Sequence, residues 1–85
     1  IDCSHANSNK DHNRQPIVFE DVITQIINGN EGIAGVMLES HINPGNQSLT
    51  SDISKLEFGV SITDACVGWD KTKEILEWAS DQLKS

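Results

Sequence analysis

The clearest pattern along the chain is a helical repeat of apolar side chains after Pro16. Two neighbouring rows, each spaced by four residues, make one broad apolar face; they are Val18, Val22, Ile26, Phe19, Ile23 and Ile27. Pro16 suits the first turn of a helix, where its missing N–H does no harm. Gly29 suits the position just past the end. We therefore predict a helix that begins near Pro16 and ends before Gly29.

Three segments are predicted to be strands. Residues 1–3 resemble the tail of a buried strand, and residues 60–63 read as a short one. Residues 33–38 are apolar or glycine throughout, which is typical of a strand buried on both faces in a parallel sheet. A long polar stretch, residues 40–55, separates the last two and contains the turn signal Asn43-Pro44-Gly45-Asn46.

A second helix is predicted near the end of the chain, with Asp70 as its N-cap. Its apolar stripe is Ile75, Leu76, Ala79 and Leu83. Strands and helices that alternate in this way indicate an α/β fold with parallel strands and right-handed crossovers. Three short strands with two helices would leave both sheet edges open and one sheet face uncovered. We therefore expect residues 1–85 to form a single segment of a larger domain.

Composition excludes several classes of partner. Thirteen acidic against six basic residues give a formal charge of −7 and a pI near 4.6. This excess of negative charge argues against binding to nucleic acids and against binding to an anionic membrane surface. The longest apolar run, residues 36–38, is too short to cross a membrane, and the start of the chain lacks the pattern of a signal peptide. We expect a cut or processed start and a cytoplasmic protein.

Three side chains able to bind a metal lie at the carboxyl ends of the three predicted strands: His5, Glu39 and Asp64. Active sites of parallel α/β folds lie at the carboxyl ends of their strands, and neighbouring strands are close enough for these side chains to converge. One imidazole and two carboxylates suit a divalent transition metal such as Mn, Fe, Co or Zn. Taken singly, each residue is more often an ordinary loop or capping residue. Because three such residues coincide, the metal-site hypothesis stands beside the interpretation as ordinary loop residues.

The two cysteines and one further histidine admit two interpretations. Cys3 and Cys66 are expected to be reduced thiols, and a disulfide between them is the alternative. Each is either a thiolate ligand or a small apolar filler, and the filler interpretation is favoured. His41 is either a solvated loop residue or a contact of Glu39. The two tryptophans are predicted to pack on the last helix.

Three segments of the chain resemble the motifs of the microbial type I DAHP synthases. They are Ile-Asp-Cys-Ser-His-Ala-Asn-Ser at residues 1–8, Gly-Val-Met-Leu-Glu-Ser-His with Gly-Asn-Gln-Ser within residues 35–48, and Ser-Ile-Thr-Asp-Ala-Cys-Val-Gly-Trp at residues 61–69. The resemblance implies about the last three βα units of a (β/α)8 TIM barrel. It also implies a transferase that condenses phosphoenolpyruvate with erythrose 4-phosphate to DAHP and phosphate, the first step of the shikimate pathway.

The resemblance also implies roles for single residues. The family's metal is held by a Cys, a His, a Glu and an Asp, and the last three match His5, Glu39 and Asp64. His5 would lie near the enolpyruvate, and Asp64 would either move a proton or serve purely as a ligand. The cysteine ligand and most of the cations that hold the substrates' phosphates belong to earlier strands. Neither Cys3 nor Cys66 stands at the ligand position.

Two alternatives to an active enzyme follow. Since the fourth ligand is missing, the isolated chain is expected to be inactive and to retain weak metal affinity. A non-catalytic module that self-associates through exposed strand edges is the other possibility. The parent enzyme is expected to be a homo-oligomer.

Overall fold

The regular structure consists of two α-helices. A computed structural model describes residues 1–49 and 51–84. Helix α1 spans Gln15–Ile27 and helix α2 spans Trp69–Leu83. Short 3-10 turns cover His5–Ser8, His12–Arg14 and Ile53–Lys55. Within the described residues, no helix is long and apolar enough to cross a membrane.

Helix α1 confirms the first helix prediction. Pro16 lies in its first turn and is buried. After the last turn, Gly29 has a φ of 98°, a left-handed conformation that glycine adopts without a steric penalty. The Gly29 N–H donates to the Ile26 carbonyl at 3.1 Å, and the Asn30 N–H donates to the Gln25 carbonyl at 3.0 Å. These two bonds form a Schellman motif, which explains why the helix ends there.

Helix α2 begins one residue earlier than its predicted cap, so Asp70 as the N-cap is wrong. The cap is Gly68, whose carbonyl accepts from the Thr72 N–H at 3.0 Å and from the Thr72 hydroxyl at 2.7 Å. A side chain at residue 68 does not fit, because its Cβ would lie 2.9 Å from Cδ of Pro44. Asp70 falls in the first turn instead, where its charge still suits the helix dipole.

The predicted strands are wrong as strands: within the described residues, backbone pairing is confined to isolated bridges. Asp2 pairs with Met37 and Ser40 with Val67, both in parallel, which is the direction the sequence predicted. Residues 33–38 are not buried on both faces, since Val36 and Met37 are 38% and 46% exposed. Among the described residues of this segment, only Leu38 packs against the core that α1 and α2 form.

The core lies where α1 meets α2 and the first residues of the chain. Its buried members are Cys3, Phe19, Ile23, Ile75 and Ala79, with Val18, Ile26, Leu38 and Trp78 packed around them. Trp78 is therefore a packing residue, as predicted, whereas Trp69 is 57% exposed. Leu76 and Leu83, assigned to the apolar stripe of α2, are half exposed. The radius of gyration is 14.8 Å, against about 12 Å for a compact domain of this length.

Side-chain amides hold the long loop before Asp64. Asn43 Nδ2 donates to the Phe58 carbonyl at 2.8 Å, and Asn46 Nδ2 donates to the Thr63 carbonyl at 3.0 Å. Gly45, in the predicted turn, has a φ of 91°. The loop is thus tied to the segment that carries Asp64, although that segment has little regular pairing.

Candidate functional site

The structure brings His5, Glu39 and Asp64 together. His5 Nε2 lies 2.8 Å from Glu39 Oε1 and 3.2 Å from Asp64 Oδ2. One ligand atom of each residue can be chosen so that all three lie within 4.8 Å of one another. The side chains come from three segments that are distant in sequence. Convergence at one point therefore holds, even though the continuous strands that were expected to produce it are absent from the described residues.

His5 is oriented by Asp2, a residue that the sequence reasoning did not single out. Its Nδ1 lies 2.7 Å from Asp2 Oδ2. The other oxygen of Asp2 accepts from the Ser4 N–H at 2.8 Å and from the Ser4 hydroxyl. His5 itself has a φ of 54°, so the chain turns sharply there. A carboxylate at Nδ1 fixes the tautomer and leaves Nε2 facing Glu39 and Asp64.

Glu39 is held by its backbone. Its carbonyl accepts from the Val67 N–H at 3.0 Å, and its N–H donates to Oε1 of the buried Gln15 at 2.9 Å. The Glu39 side chain is 21% exposed, against 62% for that of Asp64. Glu39 is therefore the better-enclosed carboxylate, and Asp64 is the more accessible one.

The site is electrostatically negative. The hydrogen bond that His5 donates to the Asp2 carboxylate raises the pKa of His5 above its ordinary value, Glu39 and Asp64 raise this pKa further, and partial desolvation opposes them. The pKa of Asp2 is lowered to about 2, chiefly by the Ser4 hydroxyl and then by His5. One imidazole thus faces three carboxylates, an arrangement that favours a bound cation.

A small cavity of about 140 Å³ adjoins the cluster and is lined in part by His5, Glu39 and Asp64. Lys10 also lines it, with a left-handed φ of 59°. The sequence analysis did not assign Lys10 to the site. Its spacing from His5 carries no periodic signal, and the turns between the two residues determine its place.

The other candidates do not join the cluster. Cys3 is fully buried in the core and Cys66 is 9% exposed; both are free thiols. Burial raises the pKa of each thiol, which favours the neutral form and the apolar-filler interpretation. His41 Nδ1 accepts from the Ile42 N–H at 2.8 Å, an exposed local contact, so the contact with Glu39 is not formed.

Comparisons with known proteins identify the family of the chain. The family model described as "DAHP synthetase I family" matches residues 1–77. A Tyr-sensitive phospho-2-dehydro-3-deoxyheptonate aldolase from Enterobacter agglomerans is 58% identical over 84 residues, which are 99% of this chain and 39% of that protein. The Tyr-sensitive enzyme of Escherichia coli K12 is 53% identical over 76 residues, which are 89% of this chain and 21% of that protein.

A solved structure extends the likeness to three dimensions. The phospho-2-dehydro-3-deoxyheptonate aldolase from Francisella tularensis SCHU S4 superposes with a TM-score of 0.89 at 42% identity. The match covers 99% of this chain and 24% of that one. The chain therefore spans about a quarter of that structure and between 21% and 39% of the two relatives described above. On this evidence the chain belongs to the DAHP synthetase I family.

Proposed function

We propose that His5, Glu39 and Asp64 hold a divalent transition metal ion, such as Mn, Fe, Co or Zn. The observation that carries this proposal is His5 Nε2, which lies within 3.2 Å of a carboxylate oxygen from each of two distant segments. The donor set fits, since imidazole and carboxylate are the nitrogen and oxygen ligands that these metals accept. Asp2 occupies Nδ1 and so leaves Nε2 as the metal-facing nitrogen.

The proposed activity is the condensation of phosphoenolpyruvate with erythrose 4-phosphate to DAHP and inorganic phosphate. The family match and the names of the relatives support it. In this proposal the chain forms about the last three βα units of a (β/α)8 barrel, and the fourth ligand, a cysteine, comes from the remainder. The parallel bridges and the partial coverage of the solved relative support this placement.

In this mechanism a bound metal supplies Lewis-acid polarisation of the aldehyde of erythrose 4-phosphate. The residues of the chain hold the metal, move protons and bind the substrate. His5 would hold the metal through Nε2 near the enolpyruvate, while Asp2 accepts a hydrogen bond from the proton on His5 Nδ1. Asp64, 62% exposed, is the carboxylate with room to exchange a proton at Oδ2. Lys10 adds a positive charge to the cavity lining and suits an anionic substrate group.

A chimera tests the activity. The matching segment of the Tyr-sensitive enzyme of E. coli K12 is replaced by the corresponding residues of this chain. We expect phosphate release that requires both phosphoenolpyruvate and erythrose 4-phosphate, because the ligands supplied by the chain complete the site. The 85-residue chain alone serves as the negative control. A chimera that folds and binds metal but releases no phosphate would contradict the proposed activity.

Replacing Asp2 with Asn tests the orientation of His5. The amide no longer offers a charged partner to Nδ1, so the imidazole loses its fixed tautomer. We expect the affinity for Co²⁺ to fall by about 10-fold to 100-fold, the usual effect of losing a hydrogen-bond partner of a ligating histidine. Titration calorimetry measures it, with Asp81→Asn on the exposed end of α2 as the matched control. Equal affinities in the two variants would show that Asp2 does not act on the site.

Exposed apolar side chains favour a second candidate, a non-catalytic module that self-associates. Met37, Ile62 and Phe58 are 46%, 48% and 82% exposed. Sedimentation of the isolated chain separates the two proposals. A chain that binds metal, stays monomeric and shows no turnover is a segment of a larger enzyme. Oligomers that form with or without metal indicate a self-associating module. The homo-oligomeric state of the parent and the cytoplasmic location stay predictions.

A further inference from the structure

Gln15 is almost completely buried although it carries a polar carboxamide, and it is 1% exposed. It is the first residue of α1, and its side chain reaches the backbone of Glu39. Gln15 Oε1 accepts from the Glu39 N–H at 2.9 Å, and Gln15 Nε2 donates to the Glu39 carbonyl at 3.3 Å. Both polar ends of one buried amide therefore contact the same residue, which is one of the three that form the cluster.

Glu39 lies where the backbone pairing of its segment changes partner. Two residues earlier, the Met37 N–H donates to the Ile1 carbonyl at 2.8 Å. Two residues later, the His41 N–H donates to the Val67 carbonyl at 2.9 Å. The Glu39 N–H therefore lies between two backbone-paired positions whose partners are different segments, and its acceptor is the Gln15 carboxamide.

The segment that pairs with Met37 does not supply this acceptor. Its Cys3 N–H still donates to the Met37 carbonyl at 2.8 Å, but the chain then turns away at His5, where φ is 54°. In a continuous parallel pair, the Cys3 carbonyl and the His5 N–H would bond to Glu39. The Gln15 carboxamide makes both kinds of bond in their place. It acts as a substitute peptide group.

We propose that Gln15 is a positioning residue for the metal site. Its carboxamide completes the interrupted pairing, so that His5 is free to turn into the cluster while the backbone of Glu39 stays fixed. The fixed backbone directs Glu39 Oε1 to 2.8 Å from His5 Nε2. This inference rests on the proposed function of His5, Glu39 and Asp64 as metal ligands. Because a buried polar group without a partner is costly, the carboxamide also specifies how α1 docks.

Gln15→Met in the 85-residue protein tests the proposal, since methionine keeps a similar volume and removes both hydrogen bonds. We expect Co²⁺ affinity to fall about tenfold, at the lower end of the effect of removing a group that orients a ligand. The absorption spectrum of bound Co²⁺ is expected to shift, and the Glu39 amide is expected to exchange its hydrogen faster. The matched control is Gln25→Met, the same change at an exposed glutamine of the same helix.

A purely structural role gives a different result. If Gln15→Met lowers thermal stability but the folded protein keeps the wild-type Co²⁺ affinity and spectrum, the proposal is overturned. If Gln15→Met yields little folded protein, it is compared with the wild type at saturating Co²⁺, because bound metal favours the folded state. Under that condition the absorption spectrum reports the coordination geometry alone. A wild-type spectrum there also overturns it, and a shifted one supports it. His5→Ala distinguishes failure of the positioning role of Gln15 from failure of the metal site. Unaltered Co²⁺ binding in His5→Ala rejects the metal site itself.

Discussion

Replacing His5 with Ala is expected to weaken Co²⁺ or Mn²⁺ binding by more than about 100-fold, beyond the effect of changing a group that merely orients a ligand. His5 supplies the nitrogen donor and lies at the centre of the cluster, within 3.2 Å of Glu39 and Asp64. Without it, two carboxylates remain and bind divalent metals with less selectivity. Titration calorimetry and Co²⁺ absorption measure the loss.

The controls for this result use the other residues of the chain. His12→Ala removes a histidine outside the cluster and is expected to leave Co²⁺ affinity unchanged. Glu39→Gln is expected to weaken binding more than Asp64→Asn does, because the Glu39 side chain is 21% exposed and that of Asp64 is 62% exposed. Charges that are less exposed to water interact more strongly with a bound ion. Equal binding by His5→Ala and His12→Ala would falsify the metal site.

Phe19→Ala is expected to destabilise the fold by about 3 to 5 kcal/mol, the usual cost of removing a buried aromatic ring. Phe19 is 2% exposed and belongs to the core where α1 meets α2. The whole stability of a chain this long is roughly 4 to 13 kcal/mol. We therefore expect the midpoint of thermal unfolding, followed by helical circular dichroism, to fall clearly, and helix to be lost at room temperature if the wild-type stability lies near the lower end of this range.

Ile17→Ala is the matched control for this change. Ile17 lies two residues away on α1 and is 63% exposed. Its replacement is expected to alter the free energy of unfolding by no more than about 0.5 kcal/mol. If the two variants melt alike, the core does not hold α1 in place.

Local interactions explain why α1 was predictable. Its apolar repeat, Pro16 at the start and Gly29 after the end all act within a few residues of chain. For α2 the helix and its buried residues Ile75 and Ala79 were predicted correctly, whereas Leu76 and Leu83 are half exposed and the predicted cap was wrong. The start of α2 depends on Gly68 beside Pro44, a contact between residues that are 24 positions apart and that no local signal marks.

The strands show the opposite case. Residues 33–38 have the composition of a strand buried on both faces, yet Val36 and Met37 are partly exposed. Apolar composition shows that a segment can be buried, but both of its faces are buried only where other parts of the protein pack against them. In the chain described here, only Leu38 of that segment packs against the core that α1 and α2 form. The family's longer members span several times this length, and the composition agrees with such a setting.

By itself, the sequence determined the two helices, the motifs that assign the family and the three residues that converge. It could do so because apolar periodicity is a local property and because side chains able to bind a metal lie at the ends of three segments predicted to be strands. Tertiary structure decided what surrounds them. The places of Asp2 and Lys10 depend on the turn at His5, and the place of Gln15 depends on how α1 docks. The contact of Gln15 with Glu39 arises from packing between distant segments, and the places of Asp2 and Lys10 arise from an irregular local turn. Residue spacing encodes neither.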